Sequence, residues 1–218
     1  MTELLFIRHG LTDWNLEQRF QGQTDIPLNA TGHAQAQRLA ARLAAEPHDA
    51  LFCSDLVRAR QTAAPLASAW QQGAVALAGL REQHFGILEG LTVQAIQARH
   101  PDLWQRWLDA DADFAAPGAE SQRRFHARVL DAVRELAALG AGRRLAVVTH
   151  GGVLDMLWRT AHGLPLTGLR ACDIPNTGLN RLRWAGGTLH VDHWADAAHL
   201  VDRAGCPPLT ASSAPTGR

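Results

Sequence analysis

Long apolar runs are missing from this sequence. No stretch of its 218 residues approaches the roughly 20 apolar positions that a membrane-spanning helix needs. The N-terminus lacks the basic leader, apolar segment and cleavage site of a secretory signal, so a cytoplasmic location is expected. A surplus of charge is missing too. With 21 basic and 21 acidic residues the formal net charge is zero, and no global basic field exists to hold nucleic acid or an anionic membrane. Any anion must be held by a few local residues. Cysteine is scarce. Cys53, Cys172 and Cys206 are odd in number and far apart, forming neither a CxxC pair nor a disulfide framework. That fits a reducing compartment, with Cys53 as a small core residue. Repeats and low-complexity blocks are absent before about residue 203. The closing RAGCPPLTASSAPTGR is rich in Pro, Ser, Thr and Gly, which predicts a disordered tail over 203–218 behind a single domain over 1–202.

What is present is ordinary globular composition, 46% hydrophobic and 19% charged, in a chain long enough to bury a core. Short apolar runs at Leu4–Ile7, Ala50–Cys53 and Leu145–Val148 suit strands buried on both faces. Helical patterns lie between them. One starts near the caps Asn29 or Thr31 and carries Leu39 and Leu43. Another has Ser54 as cap and apolar spacing through Ala59, Ala63, Leu66 and Trp70. Further helices are expected over about 93–109, over about 121–139, and after Gly151. Alternating strands and helices imply an α/β fold, a three-layer sandwich with a mostly parallel central sheet and helices on both faces. LNRLRWAGGTLHVDHW reads as a C-terminal hairpin that makes the sheet mixed at one edge.

Two apolar strands end alike: LLFIRHG and LAVVTHGG. In open α/β sheets ligands bind at the carboxyl ends of strands, so His9 and His150 stand where a paired site would form. Arg8 lies in a strand that reads as buried, and a buried arginine needs an anion. Arg58 falls in the expected first turn of a helix, a place that favours anions over cations. Either an anion lies between Arg58 and the helix end, or the side chain points away into solvent. Two arginines and two histidines at one spot describe a phosphate pocket. Arginine forks match phosphate oxygens, and a neutral imidazole can attack phosphorus. A proton donor for the leaving oxygen is then needed, and LREQHFGILEG offers Glu82, His84 and Glu89.

RHGLTDWN (Arg8 to Asn15), QGQTDIPLNATGHAQA, SDLVRARQTA, LREQHFGILEG, PGAES and VVTHGG together resemble the histidine phosphatase superfamily, the phosphoglycerate-mutase-like proteins, in the family's own order. The likeness runs from residue 3 to about 152, and the hairpin with WADAAHL extends it to about 200. The resemblance implies a phosphoglycerate-mutase-like fold and a metal-independent phosphomonoesterase that hydrolyses a small-molecule phosphate ester without a cofactor. It implies His9 as the phosphorylated nucleophile, with Arg8, Arg58 and His150 around the phosphate. It implies Glu82 as general acid and then base, and Asn15 as a further donor. Gln21, Gly22, Arg60, Gly151 and Gly152 would line the pocket. Mutases of the family resemble a longer chain with a larger insertion after the glutamate, whereas the segment 83–116 is short here, which favours a phosphatase. A phosphoglycerate mutase and a non-catalytic phospholigand-binding protein are the alternatives. Oligomeric state stays open, a homodimer included.

Three further features are weighed. PGAES (Pro117 to Ser121) has alanine at 119 where related phosphatases often have a second glycine, which puts the loop geometry in question, and Glu120 is a loose candidate for holding the histidines. HVDHWADAAH holds three histidines and two aspartates, but it matches no zinc spacing, and His190 and His193 should face opposite sides of a strand. No metal site is assigned, though a metallohydrolase using these histidines is a rival reading. Trp104 and Trp107, three apart on a helix, are read as packing residues, with a wall of the substrate pocket as the sharper option.

Overall fold

Alternation of side chains along two neighbouring strands organises the molecule. The computed structural model describes residues 1–109 and 111–201; the tail expected over 203–218, with Cys206, lies outside them. In chain order the regular elements are β1 (Thr2–Arg8), α1 (Asp13–Leu16), α2 (Ala30–Leu43), β2 (Ala50–Cys53), α3 (Val57–Ala69), β3 (Ala74–Ala76), α4 (Val93–Arg99), α5 (Pro101–Leu108), α6 (Gln122–Leu139), β4 (Arg144–Thr149), α7 (Gly151–His162), β5 (Leu179–Ala185) and β6 (Thr188–Asp196). One sheet runs in the order β3-β2-β4-β1-β5-β6. β1, β4, β2 and β3 pair in parallel, while β5 joins β1 antiparallel and β6 closes the edge as a hairpin. No helix among the described residues is long and apolar enough to cross a membrane.

Leu4 and Phe6 of β1, with Leu145 and Val147 of β4, face one side of the sheet. There they pack on Phe125, Val129 and Val133 of α6 and Val153, Leu154 and Leu157 of α7. Leu5, Ile7, Ala146 and Val148 point the other way, against Leu39 and Leu43 of α2 and Ala59, Ala63 and Leu66 of α3. This is the period of two expected of strands covered on both faces. Each large apolar side chain fully buried here contributes about 1.5–3 kcal/mol.

The α2 helix starts where the carboxamide oxygen of Asn29 accepts from the Gly32 N–H at 2.9 Å. Thr31, the other cap candidate, lies inside the first turn. At α3 the expectation of a Ser54 cap fails. Leu56 holds the cap position, and Ser54, two residues ahead of it, accepts only from the Leu56 N–H. The first N–H of α3, on Val57, is taken instead by the Asp25 carboxylate at 2.6 Å. The helix expected over 93–109 is two helices, because Pro101 disfavours helical backbone at the residue before it, and His100 adopts φ −139° and ψ 55°.

A bulge alters the hairpin. Arg183 pairs with His190 and Arg181 with His193, so a register shift brings both histidines to one face instead of opposite ones. Among the described residues, no three His, Cys, Asp or Glu side chains are grouped to hold a metal ion. In the 117–121 loop the left-handed backbone falls on Gly118 (φ +74°), not on Ala119. Ala119 closes a turn, its N–H donating to the Ala116 carbonyl, and makes an isolated bridge to Phe85 without a positive φ, so alanine is compatible with the loop there. Trp104 and Trp107 pack. Trp104 joins the small cluster around Leu88 and Ile96, and Trp107 meets the rings of Phe20 and Phe85 at 5.8 and 5.9 Å.

Candidate active site

Because β4 and β1 are neighbours, the residues that directly follow them, His150 and His9, deliver two imidazoles to one spot. The His9 and His150 ring centroids are 5.2 Å apart. The backbone beneath His9 is held on every side. Its N–H donates to Thr149, its carbonyl accepts from the Asn176 side chain at 2.9 Å, and the Arg8 carbonyl accepts from the Thr177 N–H. The next N–H, of Gly10, donates to the Thr62 hydroxyl, which itself donates to the Arg58 carbonyl. A buried nucleophile loop is thereby tied to α3.

His9 Nδ1 lies 2.7 Å from the Gly10 carbonyl oxygen. A carbonyl only accepts, so Nδ1 carries the proton, and in the neutral ring Nε2 is left as a bare lone pair. The ring is neutral because burial, then the charges of Arg58 and Arg8, hold its pKa well below the usual histidine range. Burial and the same arginines do the same to His150.

Arg58 is fully buried, which removes the alternative of a side chain pointing into solvent. Its Nη1 and Nη2 donate to the carbonyls of Thr24 and Gly22. Arg8, 7% exposed, donates from Nη1 to Ile174 at 2.6 Å. Burial lowers both guanidinium groups, to about 10 in each case, with Arg170 adding to the effect at Arg8, and both stay charged at neutral pH. Among the described residues neither has a protein partner for Nε. Among the described residues, eight buried side-chain nitrogen or oxygen atoms lack a partner, and five of them belong to Arg8, Arg58, His150 and Gln21. Each such atom costs about 1–3 kcal/mol unless something pairs with it. The four on Arg8, Arg58 and His150 surround two cations and a nucleophilic lone pair, which describes a socket for an anion.

The three candidate proton donors separate cleanly. Both Glu89 oxygens are occupied, accepting from the backbone of Gln23, Thr24 and Phe85 and from the Thr24 hydroxyl. His84 Nδ1 accepts from the Gly86 N–H. Glu82 alone turns toward the socket. One of its oxygens accepts from the Gly152 N–H at the start of α7 and the other from the Gln83 N–H, each at 2.9 Å, and its charge is felt by both Arg8 and Arg58. Gly152 makes that approach feasible, since a Cβ there would stand 2.1 Å from Glu82 Oε1.

Other positions fall as follows. The Asn15 carboxamide oxygen accepts from the Thr12 N–H and hydroxyl, leaving its NH₂ as the donor end. Gly22 adjoins the socket through its bond to Arg58, and Gly151 opens α7 beside Arg8. Arg60 is exposed and lines a separate groove with Asp25, Cys53 and Gln61, so it is not brought to the histidines. Glu120 does not touch the histidines either. It pairs with Arg128, whose guanidinium donates to the carbonyls of Gly79, Arg81 and Glu82. The pair therefore braces the loop that carries Glu82. Sequence reasoning missed Thr62, Arg128, Arg170 and Asn176. Only Arg128 and Thr62 carried any signal, as polar residues on otherwise apolar helix faces.

Comparison with known proteins adds an independent line. Residues 4–197 match the family model described as histidine phosphatase superfamily (branch 1). The chain is similar to phosphoglycerate mutase-like protein 4 of Arabidopsis thaliana, 34% identical over 92% of this chain and 87% of the relative. It is also similar to the metal-independent phosphoserine phosphatase of Arabidopsis thaliana, 32% identical over 92% and 84%. Among solved structures, a mycobacterial glucosyl-3-phosphoglycerate phosphatase in complex with VO3 superposes with a TM-score of 0.78, at 32% identity over 88% of this chain and 98% of that one.

Proposed function

The chain belongs to the histidine phosphatase superfamily and is a phosphoric monoester hydrolase; we propose that it cleaves a small phosphorylated metabolite, without a metal, through a phosphohistidine on His9. The observation that carries the assignment of residues is the His9 tautomer, a bare Nε2 lone pair flanked by Arg8 and Arg58 with partnerless Nε donors.

In this reading the Nε2 lone pair forms the N–P bond as the ester P–O bond breaks. The departing electron pair goes to the alcohol oxygen, which takes the proton of the Glu82 carboxylic acid. The imidazolium formed keeps its Nδ1–H on the Gly10 carbonyl. Arg8 and Arg58 hold the non-bridging oxygens, where the charge of a loose transition state accumulates. Neutral His150 adds one N–H, and Asn15, Gln21 and the Gly151–Gly152 backbone frame the phosphoryl group. Water then attacks phosphorus and gives its proton to the Glu82 carboxylate, and the N–P electron pair returns to Nε2. Among the described residues Cys53 and Cys172 are free thiols, which fits a reducing compartment.

The test is a phosphatase panel on wild type and His9→Ala with acid-labile phosphate trapping. Near-complete loss of turnover with a retained circular dichroism spectrum, and label on His9, is the expected result. Label elsewhere overturns the assignment. The name of the mutase-like relative favours a second reading. Rapid isomerisation of 3-phosphoglycerate with a bisphosphoglycerate primer, and negligible phosphate release, would replace hydrolysis with mutase chemistry.

A further inference from the structure

Glu89 is an acid that the reaction does not use, and its side chain is only 11% exposed. Oε1 accepts from the N–H groups of Gln23 and Phe85, each at 3.0 Å, and Oε2 from the N–H and the hydroxyl of Thr24. A buried charge is costly unless something compensates it. His84 Nδ1 stands 3.8 Å from Oε1, but that nitrogen accepts from the Gly86 N–H and carries no proton to share with Glu89.

The compensating cation lies across one thickness of backbone. Arg58 donates from Nη2 to the Gly22 carbonyl at 2.7 Å and from Nη1 to the Thr24 carbonyl at 2.9 Å. The peptide unit joining Gly22 to Gln23 therefore has its oxygen on Arg58 and its N–H on Glu89. Its dipole is aligned between the two charges, an arrangement in which hydrogen bonds strengthen one another. Glycine at 22 makes this possible. Its φ is +52°, and a Cβ there would stand 2.0 Å from Glu89 Oε1. The next residue along, Asp25, fastens the loop to α3 through the Val57 N–H. Burial lowers the Arg58 pKa, and the negative charges of Glu82, Asp25 and Glu89 oppose that effect. With both terminal nitrogens anchored on the 22–24 loop, the place of the loop sets where the unpartnered Nε points.

We propose that Glu89 is a positioning residue for Arg58, holding the 22–24 loop so that the guanidinium is aimed at the phosphoryl oxygens. The proposal deepens the reading of Arg58 as a phosphate ligand and rests on it. The Glu89 carboxylate itself touches no reacting atom.

Inorganic phosphate is the probe, its dissociation constant measured by calorimetry on the full chain. Arg58→Gln should weaken binding about 30-fold or more. Glu89→Gln keeps the shape but turns an NH₂ toward backbone N–H donors, and should weaken binding about 5–20-fold. In Arg58→Gln/Glu89→Gln the second substitution should add less than about twofold. The ratio of activity on p-nitrophenyl phosphate to that on alkyl phosphates, which reads Glu82, should stay at its wild-type value in Glu89→Gln. Thr24→Ala removes one of the four bonds and should weaken phosphate about two- to threefold, which keeps the test open if Glu89→Gln does not fold. Wild-type phosphate affinity in folded Glu89→Gln or in Thr24→Ala overturns the proposal and leaves Glu89 a fastening that shows only in Tm. An additive double variant overturns it too, as does a changed substrate ratio, which would mean that Glu89 acts through Glu82. Phosphate affinity unmoved by Arg58→Gln would instead overturn the socket reading itself.

Discussion

At the scale of single residues, the site turns on which carboxylate meets the first turn of α7 beside the socket. Glu89 and Glu82 are seven positions apart in one loop, yet Glu89 takes backbone N–H groups of the 23–24 and 85 positions, away from the histidines, while Glu82 takes those of Gln83 and of Gly152 at the start of α7. Glu82→Gln should lower kcat on alkyl phosphates by about 10²–10⁴-fold. On p-nitrophenyl phosphate, whose leaving group needs no proton, the loss should be much smaller, and steady-state kinetics on the two substrates will read the difference. Arg128 touches no reacting atom, but it holds three carbonyls of the Glu82 loop. Arg128→Met should steepen the dependence of kcat on leaving-group pKa in the same direction, with Arg128→Lys a partial rescue. A role in stability alone would lower Tm and leave that dependence unchanged. The histidines and Arg8 were legible because they end apolar strands, where period and topology assign a place. Arg170 and Asn176 were not, since they lie in a loop whose shape is set by Arg159 and by contacts with β1, and local sequence does not encode such contacts.

At the scale of elements, the first turn of α7 is where fold and chemistry meet. Gly152 lets Glu82 approach a helix start that carries partial positive charge, and Arg8 lies beside Gly151 in ordinary contact. Gly152→Ala would put a methyl group 2.1 Å from Glu82 Oε1, so the carboxylate must move. The variant should keep its helical circular dichroism and lose alkyl phosphatase activity to the extent that Glu82→Gln does. On α2, Asn29→Ala removes the cap and should cost about 0.5–2 kcal/mol in urea unfolding, with kcat intact. Strands and long helices were readable from hydrophobic period. Helix ends were readable only where the cap is local. Asn29 caps its own helix, but the first N–H of α3 goes to Asp25, 32 residues upstream, and no neighbouring residue announces that. The β6 bulge was equally hidden, because strict alternation is the assumption that a bulge breaks.

At the scale of the whole molecule, buried neutral histidines make stability depend on pH. His9 and His150 have folded pKa values below the unfolded value of 6.5, through burial and the nearby arginines. Burial also lowers His48, His126 and His199. Below pH 6.5 the unfolded chain takes up protons that the folded chain refuses. Stability is therefore fully present above that pH and is lost as pH falls through the acid range, by about 1.4 kcal/mol per pH unit for each histidine still neutral in the fold. Urea midpoints between pH 7.5 and 5 should fall accordingly, and His150→Asn should flatten the slope. An unchanged slope would mean that His150 titrates normally in the folded protein.

The strand order carries a consequence for biosynthesis. β1 is synthesised well before both of its neighbours in the sheet, β4 and β5, which begin at residues 144 and 179. At translation speeds of about 5–20 residues per second, the N-terminal LLFI waits roughly 7–30 s on the ribosome for β4 alone. During that interval it is an unpaired apolar strand, a natural client for a nascent-chain chaperone. Hydrolytic competence cannot precede synthesis of β4, so a truncated chain released early would carry the nucleophile without the architecture that arms it.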